Sequence, residues 1–104
     1  MQTIRPTDFT GSRAWQALPI ATLAGSTTVR LHWTDQPYQW HVNDGQEVFV
    51  VLDGVVDMHT RVDGQVQVHH LQVGDIFYAE AGDAHVAHPQ GAARVLVVER
   101  EGSV

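Results

Sequence analysis

The sequence predicts an all-β protein, an antiparallel β-barrel or jelly roll with little or no helix. Three observations carry that expectation. Short runs of β-branched and aromatic residues alternate with tight breaks at Asp44-Gly45, Asp53-Gly54, Asp63-Gly64, Gly74-Asp75 and Gly82-Asp83. Turn signals recur at intervals of roughly eight to twelve residues, the spacing of sandwich and barrel strands. Apolar periodicity near a helical repeat of about 3.6 residues is not sustained along the chain.

From the N-terminus, residues 2–10 carry Ile4, Pro6 and Phe9 and read as an extended arm, for pairing at a sheet edge or with a partner subunit. The arm is bounded at residues 1–20. Within it SRAWQAL, residues 12–18, follows a helix-start signal at Ser12 and predicts one or two helical turns, stopped by Pro19. The strands follow as TTVRLHW (27–33), EVFVVL (47–52), VVDMHTRV (55–62), QVQVHHL (65–71), DIFYA (75–79), AHVAH (84–88) and ARVLVVE (93–99). Asp-Gly between such runs is a hairpin signal, because glycine accepts positive φ without a Cβ penalty. The 104 residues suit a single domain, with the barrel at 27–99. Chains of this size bury roughly two-thirds of their unfolded surface, so a core without staples is feasible.

Composition excludes several function classes. Without cysteine there is no disulfide framework, zinc ribbon or thiol nucleophile. The net charge is −6, and the six arginines are scattered rather than striped, which argues against nucleic-acid binding. No basic leader precedes an apolar run, and no stretch approaches the roughly 18 apolar residues of a membrane span. The expectation is a cytoplasmic protein with no membrane association. The three serines lie in no G-x-S-x-G turn, and no phosphate-cradling glycine loop is present.

The chemistry concentrates in WHVNDGQEVFVVLDG, residues 40–54, and GDIFYAEAGDAH, residues 74–85. Imidazole nitrogen and carboxylate oxygen are the usual ligands of zinc, iron, manganese and nickel. His41 and Asn43 are two apart and leave the same face of a strand. A three-residue loop, Asp44-Gly45-Gln46, would set Asn43 opposite Glu47 on that face. A two-residue Asp44-Gly45 loop would turn Glu47 to the other face, so shared ligation through this hairpin requires the longer loop. The alternative reading is an ordinary surface pair of His41 and Glu47. Against it, Glu47 opens the apolar run Val48–Leu52, where an unpaired carboxylate would be costly.

These residues resemble the small single-domain cupins over nearly all of 27–99. The first cupin motif, G-x5-H-x-H-x3or4-E-x6-G, is met by His41, Glu47 and Gly54, with Asn43 at the second histidine and Asp35 at the opening glycine. The second, G-x5-P-x-G-x2-H-x3-N, is met by Gly74, Gly82 and His85, with Glu80 and Pro89 replacing proline and asparagine. The resemblance implies a jelly-roll barrel holding a divalent metal ion (iron, zinc, manganese or nickel) through His41, Glu47 and His85. Asn43 is then a weak oxygen ligand or a neighbour of the ligands. It also implies a small organic ligand in the barrel and chemistry of the oxygenase, isomerase or polyketide-modifying type. Glu47 is the candidate catalytic residue, as a general base where no metal is held. The rival is a non-catalytic binding or sensor module with a degenerate site.

Other residues have plainer readings. His32 is within reach of the pocket but reads first as solvent-facing or core-lining, His59 reads as outward, and His69 and His70 lie on opposite faces. His88 has the wrong parity to join His85. Phe49 is a candidate pocket wall, and Trp40 a packing or dimer-contact residue. Arg30 and Arg94 are the strand arginines available to an anionic substrate, with barrel-exterior positions in solvated pairs as the favoured reading. Open sheet edges predict a homodimer, with the N-terminal arm as a candidate cover.

Overall fold

Period-two alternation is strongest near the C-terminus, where Ala93, Val95, Val97 and Glu99 are buried and the residues between them are only partly covered. The structure is a computed structural model and describes residues 1–103. It contains one 3-10 turn, Pro6–Asp8, and nine strands. These are β1 (Gln16–Leu23), β2 (Thr27–Thr34), β3 (His41–Val42), β4 (Glu47–Asp53), β5 (Val56–Val62), β6 (Gln65–Leu71), β7 (Ile76–Ala79), β8 (Ala84–Pro89) and β9 (Ala93–Arg100). They form two antiparallel sheets, ordered β1-β2-β9-β4-β7 and β3-β8-β5-β6.

Only the β1–β2 and β5–β6 connections stay within a sheet; every other connection crosses to the facing one. This is the jelly roll that the strand pattern predicts, with two sheets packed face to face rather than closed into a barrel. Phe49, Val51, Val56, Met58 and Val95 interdigitate between them as the buried core. No helix among the described residues is long and apolar enough to cross a membrane.

The glycine breaks play a different part from the one expected. Only Asp63-Gly64 closes a hairpin, with φ of 51° and 77°, the paired positive values of a two-residue turn. The other four breaks carry the chain between sheets. The hairpin register considered for residues 41–47 therefore does not arise in either form. β3 pairs with β8, through His41↔His85 and Val42↔Ala84, whereas Glu47 pairs with Ala79 and Glu99. Asn43 is taken up by the β7–β8 turn, donating its N–H to the Asp83 carbonyl at 2.9 Å and accepting from Gly82 N–H at 2.8 Å. Those bonds satisfy its backbone more locally than a β3–β4 ladder would.

The N-terminal expectation needs two corrections. Residues 12–18 form no helical turns: the chain bends at residues 12–15 and enters β1 at Gln16. The eight-residue ladder with β2, from Gln16↔Trp33 to Leu23↔Thr27, outweighs a helix too short to nucleate well. Pro19 is tolerated because β1 is an edge strand with an irregularity between Pro19 and Ala21. The sheet thus begins at Gln16, inside the range assigned to the arm and before residue 27. Arg94 fastens the remaining arm, donating from Nε to the Phe9 carbonyl at 2.7 Å and from Nη2 to Thr10 Oγ1 at 2.9 Å, while Nη1 meets Asp53 at 2.5 Å.

Gly54 is the tightest backbone approach. Its φ is +79°, and an added Cβ would lie 2.5 Å from the Ala92 carbonyl oxygen and 3.1 Å from Ala93 Cα. Gly54→Ala therefore combines a left-handed backbone penalty with a backbone clash. We expect a loss of about 2–4 kcal/mol in urea unfolding, whereas Gly64→Ala, with open space around it, should lose only about 1–2 kcal/mol.

Candidate metal centre

Two sheets contribute to one cluster. His41 and His85 are direct partners on β3 and β8, with ring centroids 4.3 Å apart. Glu47 reaches them from the head of β4 in the facing sheet, its Oε1 3.6 Å from His85 Nε2. One candidate ligand atom from each of the three residues lies within 4.8 Å of the others. His41 donates Nδ1–H to the Gln39 carbonyl at 3.1 Å, leaving Nε2 as a lone-pair donor. That second hydrogen bond is the usual way a ligating imidazole is oriented. Asn43 Oδ1 lies 2.8 Å from His85 Nε2 and accepts from it when that nitrogen is protonated.

Burial sets the protonation states. It pulls His85 down to about 4, helped by the charge of neighbouring His41 and opposed by Asp83, so the ring is neutral at pH 7. Burial also pushes Glu47 up to about 8, with the hydrogen bond and charge of Glu99 adding to it. Glu99 faces Glu47 across the β4–β9 ladder and is itself buried, with Arg30 Nη2 held at 2.7 Å from its Oε1.

This donor set fits a divalent cation. It offers two imidazoles, that of His85 held neutral, and a carboxylate whose charged form burial disfavours, so a cation between them would offset the desolvation. Asn43 Nδ2 and His85 Nδ1 are buried and without hydrogen-bond partners, which marks a polar cluster left incomplete by protein groups alone. For His85 to ligate through Nε2, that nitrogen must carry no proton, and Asn43 Oδ1 then becomes a free acceptor beside the cluster. Above the cluster opens a cavity of about 360 Å³, walled by Phe49, Met58, Ala87 and Val97 and reached by Trp15 and Tyr38. Its size falls at the small end of the roughly 300–1,000 Å³ range of small-molecule sites.

Residues 28–99 match the family model of the cupin domain. The chain belongs to the cupin family. No curated protein matches this cupin in sequence. Solved structures share its fold. A cupin-2 domain containing protein from Shewanella frigidimarina is 23% identical with a TM-score of 0.77, over 91% of this chain and 87% of that one. TT1209 from Thermus thermophilus is 20% identical with a TM-score of 0.77, over 96% and 97% of the two chains. Hydroxypropylphosphonic acid epoxidase from S. wedmorenis is 16% identical with a TM-score of 0.70, over 80% of this cupin but only 49% of the epoxidase.

The structure brings together His41, Glu47 and His85, with Asn43 in contact and Phe49 in the cavity wall. His88 and His59 are excluded from it, stacked instead on the outer face at 4.1 Å. His69 leans on Phe77, while His70 meets Asp57 on the opposite face at 2.7 Å. Trp40 is partly exposed under Arg61, whose Cζ lies 4.2 Å from its ring centroid. Neither strand arginine is a solvated exterior residue: Arg94, its side chain only 14% exposed, is enclosed by Asp53 and the arm, and Arg30, 31% exposed, opens onto the cavity. Arg30 lines the cavity, because it shares parity with inward-facing His32 and finds a buried partner in Glu99. Glu99 is the residue that motif reasoning misses. Its parity with Val95 and Val97 was the available signal, since the fourth member of an inward-facing series must also face in.

The metal-free protein should show a characteristic pH dependence. Glu47 binds its proton more tightly folded (about 8) than at its ordinary value of 4.5, so its stabilising contribution is present below 4.5 and lost as pH rises through about 8. His85 works in the opposite sense, losing stability as pH falls from 6.5 through about 4. The two slopes oppose each other below pH 6.5, leaving a net fall above it. In chelator, urea-unfolding stability should drop from pH 6.5 to 8 by up to about 1.4 kcal/mol per pH unit, and Glu47→Gln should flatten this drop.

Proposed function

We propose that this cupin binds one divalent metal ion through His41, Glu47 and His85 and acts as a metal-dependent enzyme on a small organic molecule. The observation that carries the reading is the convergence of three ligand residues from facing sheets beneath an apolar-walled cavity. Two histidines and one carboxylate, leaving other positions open, form the ligand set of non-haem iron oxygenases. An ion held there supplies Lewis-acid polarisation of a carbonyl or enol, or, if it is redox-active, electrons for dioxygen chemistry. The chain's own part is to hold the His85 imidazole neutral, present the Glu47 carboxyl from the buried head of β4 and line the cavity with the apolar Phe49–Met58 wall. Glu47 is also placed to take a substrate proton if it is free of metal. In support, the structures similar to this cupin include cobalt(II) HppE in complex with substrate, at 16% identity, a TM-score of 0.71 and 54% coverage of that chain.

A non-catalytic ligand-binding module is the second reading, favoured by one observation: Asn43 already occupies His85 Nε2. Metal analysis separates the two. Protein purified without chelator should carry near-stoichiometric metal, and His85→Ala should lower it at least roughly tenfold while keeping a cooperative thermal melt. Unchanged metal in that variant would refute the assignment, and a folded wild type without metal would favour the second reading.

We propose further that the protein is a homodimer. β6 and β7 are open sheet edges, and they expose Val66, Val68, Ile76 and Tyr78. Light scattering at micromolar concentration should give twice the chain mass; a monomer would overturn this.

A further inference from the structure

The β1–β2 side of the cavity holds two buried N–H groups with nothing to donate to, Trp15 Nε1 just before β1 and Arg30 Nε on β2. Both residues line the cavity. A buried donor left unpaired is costly and uncommon, and two in one cavity call for a shared explanation. Trp15 adds another anomaly, since its φ of +61° places a bulky non-glycine residue in the left-handed region. Such strain persists only where surrounding structure demands it, and it clusters at ligand-contacting positions. Here it accompanies an indole set edge-on to Tyr38 at 5.3 Å and to His32 at 6.0 Å.

Charge indicates what the donors would receive. Outside the His41–Glu47–His85 cluster, the cavity lining carries two arginines, Arg13 and Arg30, against one carboxylate, Glu99. Glu99 occupies Nη2 of Arg30 and leaves Nε open. An anion with planar acceptor oxygens would balance the surplus positive charge and satisfy the orphaned donors. Arg30 Nε and Trp15 Nε1 offer one N–H each beside a positive charge, which favours the two oxygens of a carboxylate in this role. The remaining wall, with Tyr38, Phe49 and Met58, suits a flat apolar ring.

We infer that the Trp15–Arg30 side of the cavity is a carboxylate-recognition subsite, and that the molecule this cupin takes is a small aromatic carboxylate. The carboxylate accepts from Trp15 Nε1–H and Arg30 Nε–H, and the ring lies along the aromatic wall with its far end toward His41, Glu47 and His85. The inference rests on reading the cavity as a small-molecule site, but not on the metal being bound.

The test uses the full chain in chelator, with benzoate as probe and benzyl alcohol as its uncharged counterpart. The indole N–H resonances of Trp15, Trp33 and Trp40 are followed by NMR, Trp15 being identified by its loss in Trp15→Phe. Benzoate should shift the Trp15 signal and bind at least about tenfold tighter than benzyl alcohol. Trp15→Phe, which keeps the ring and removes the donor, should lower benzoate affinity by at least about tenfold. Arg30→Gln should do the same, while His88→Ala, on the outer face, leaves benzoate binding intact. Equal binding of the two probes, or undiminished benzoate affinity in Trp15→Phe, overturns the subsite. Discrimination that survives in a protein unable to load metal would sink only the metal reading. Normal metal loading without discrimination would sink only the subsite.

Discussion

Glu47 heads a strand whose inward face continues through Phe49 and Val51, so its carboxyl is buried wherever the β4 ladder forms. The rest of the site depends on that constraint. β9 supplies a second buried carboxylate directly opposite, Glu99, and β2 supplies Arg30 to meet it. From the facing sheet, His85 is held neutral and close by. A polar layer of this kind inside a small sandwich is a liability unless its charges are matched. Arg30 matches one carboxylate, and the histidine side of the cavity is arranged around the other.

The four sheet-crossing breaks explain how so short a chain builds a two-sided site. Because the chain changes sheets at Asp44-Gly45 and again at Gly82-Asp83, His41 and His85 end on one wall and Glu47 on the other. The Asn43 backbone bonds to Gly82 and Asp83 lock these two crossings together. The two histidine-bearing strands therefore reach the cavity in a fixed register, although β3 is only two residues long. Arg94 performs a similar service at the opposite end by fastening the arm that leads into Trp15 and β1.

Both faces of the cavity's chemistry follow from this layering. Near β3 and β8 the groups are lone-pair donors and a carboxylate, suited to a cation. Toward β1 and β2 they are N–H donors on Trp15 and Arg30. A molecule spanning the two would meet a metal-type environment at one end and an anion-type environment at the other. Glu99, bonded to Arg30 and facing Glu47, joins the two groups.

Much of this was legible in the residues. The β-branched runs and dense turn signals are local properties, and they sufficed for an all-β jelly roll. His41, Glu47 and His85 were identifiable because ligand chemistry restricts residue type and because their spacing resembles that of the cupins. What could not be read was which strand lies beside which. An Asp-Gly break looks the same whether it closes a hairpin or carries the chain to the other sheet, so the register of Asn43 against Glu47 was misjudged. SRAWQAL similarly has helical local signals, and only the ladder with β2 draws its last three residues into a strand. Arg30, Glu99 and Trp15 have no motif at all. Local chemistry thus determined the element types and the ligand candidates, whereas long-range strand pairing settled which side chains share the cavity, because inward or outward facing is a property of the partner strand and the facing sheet as much as of the residue.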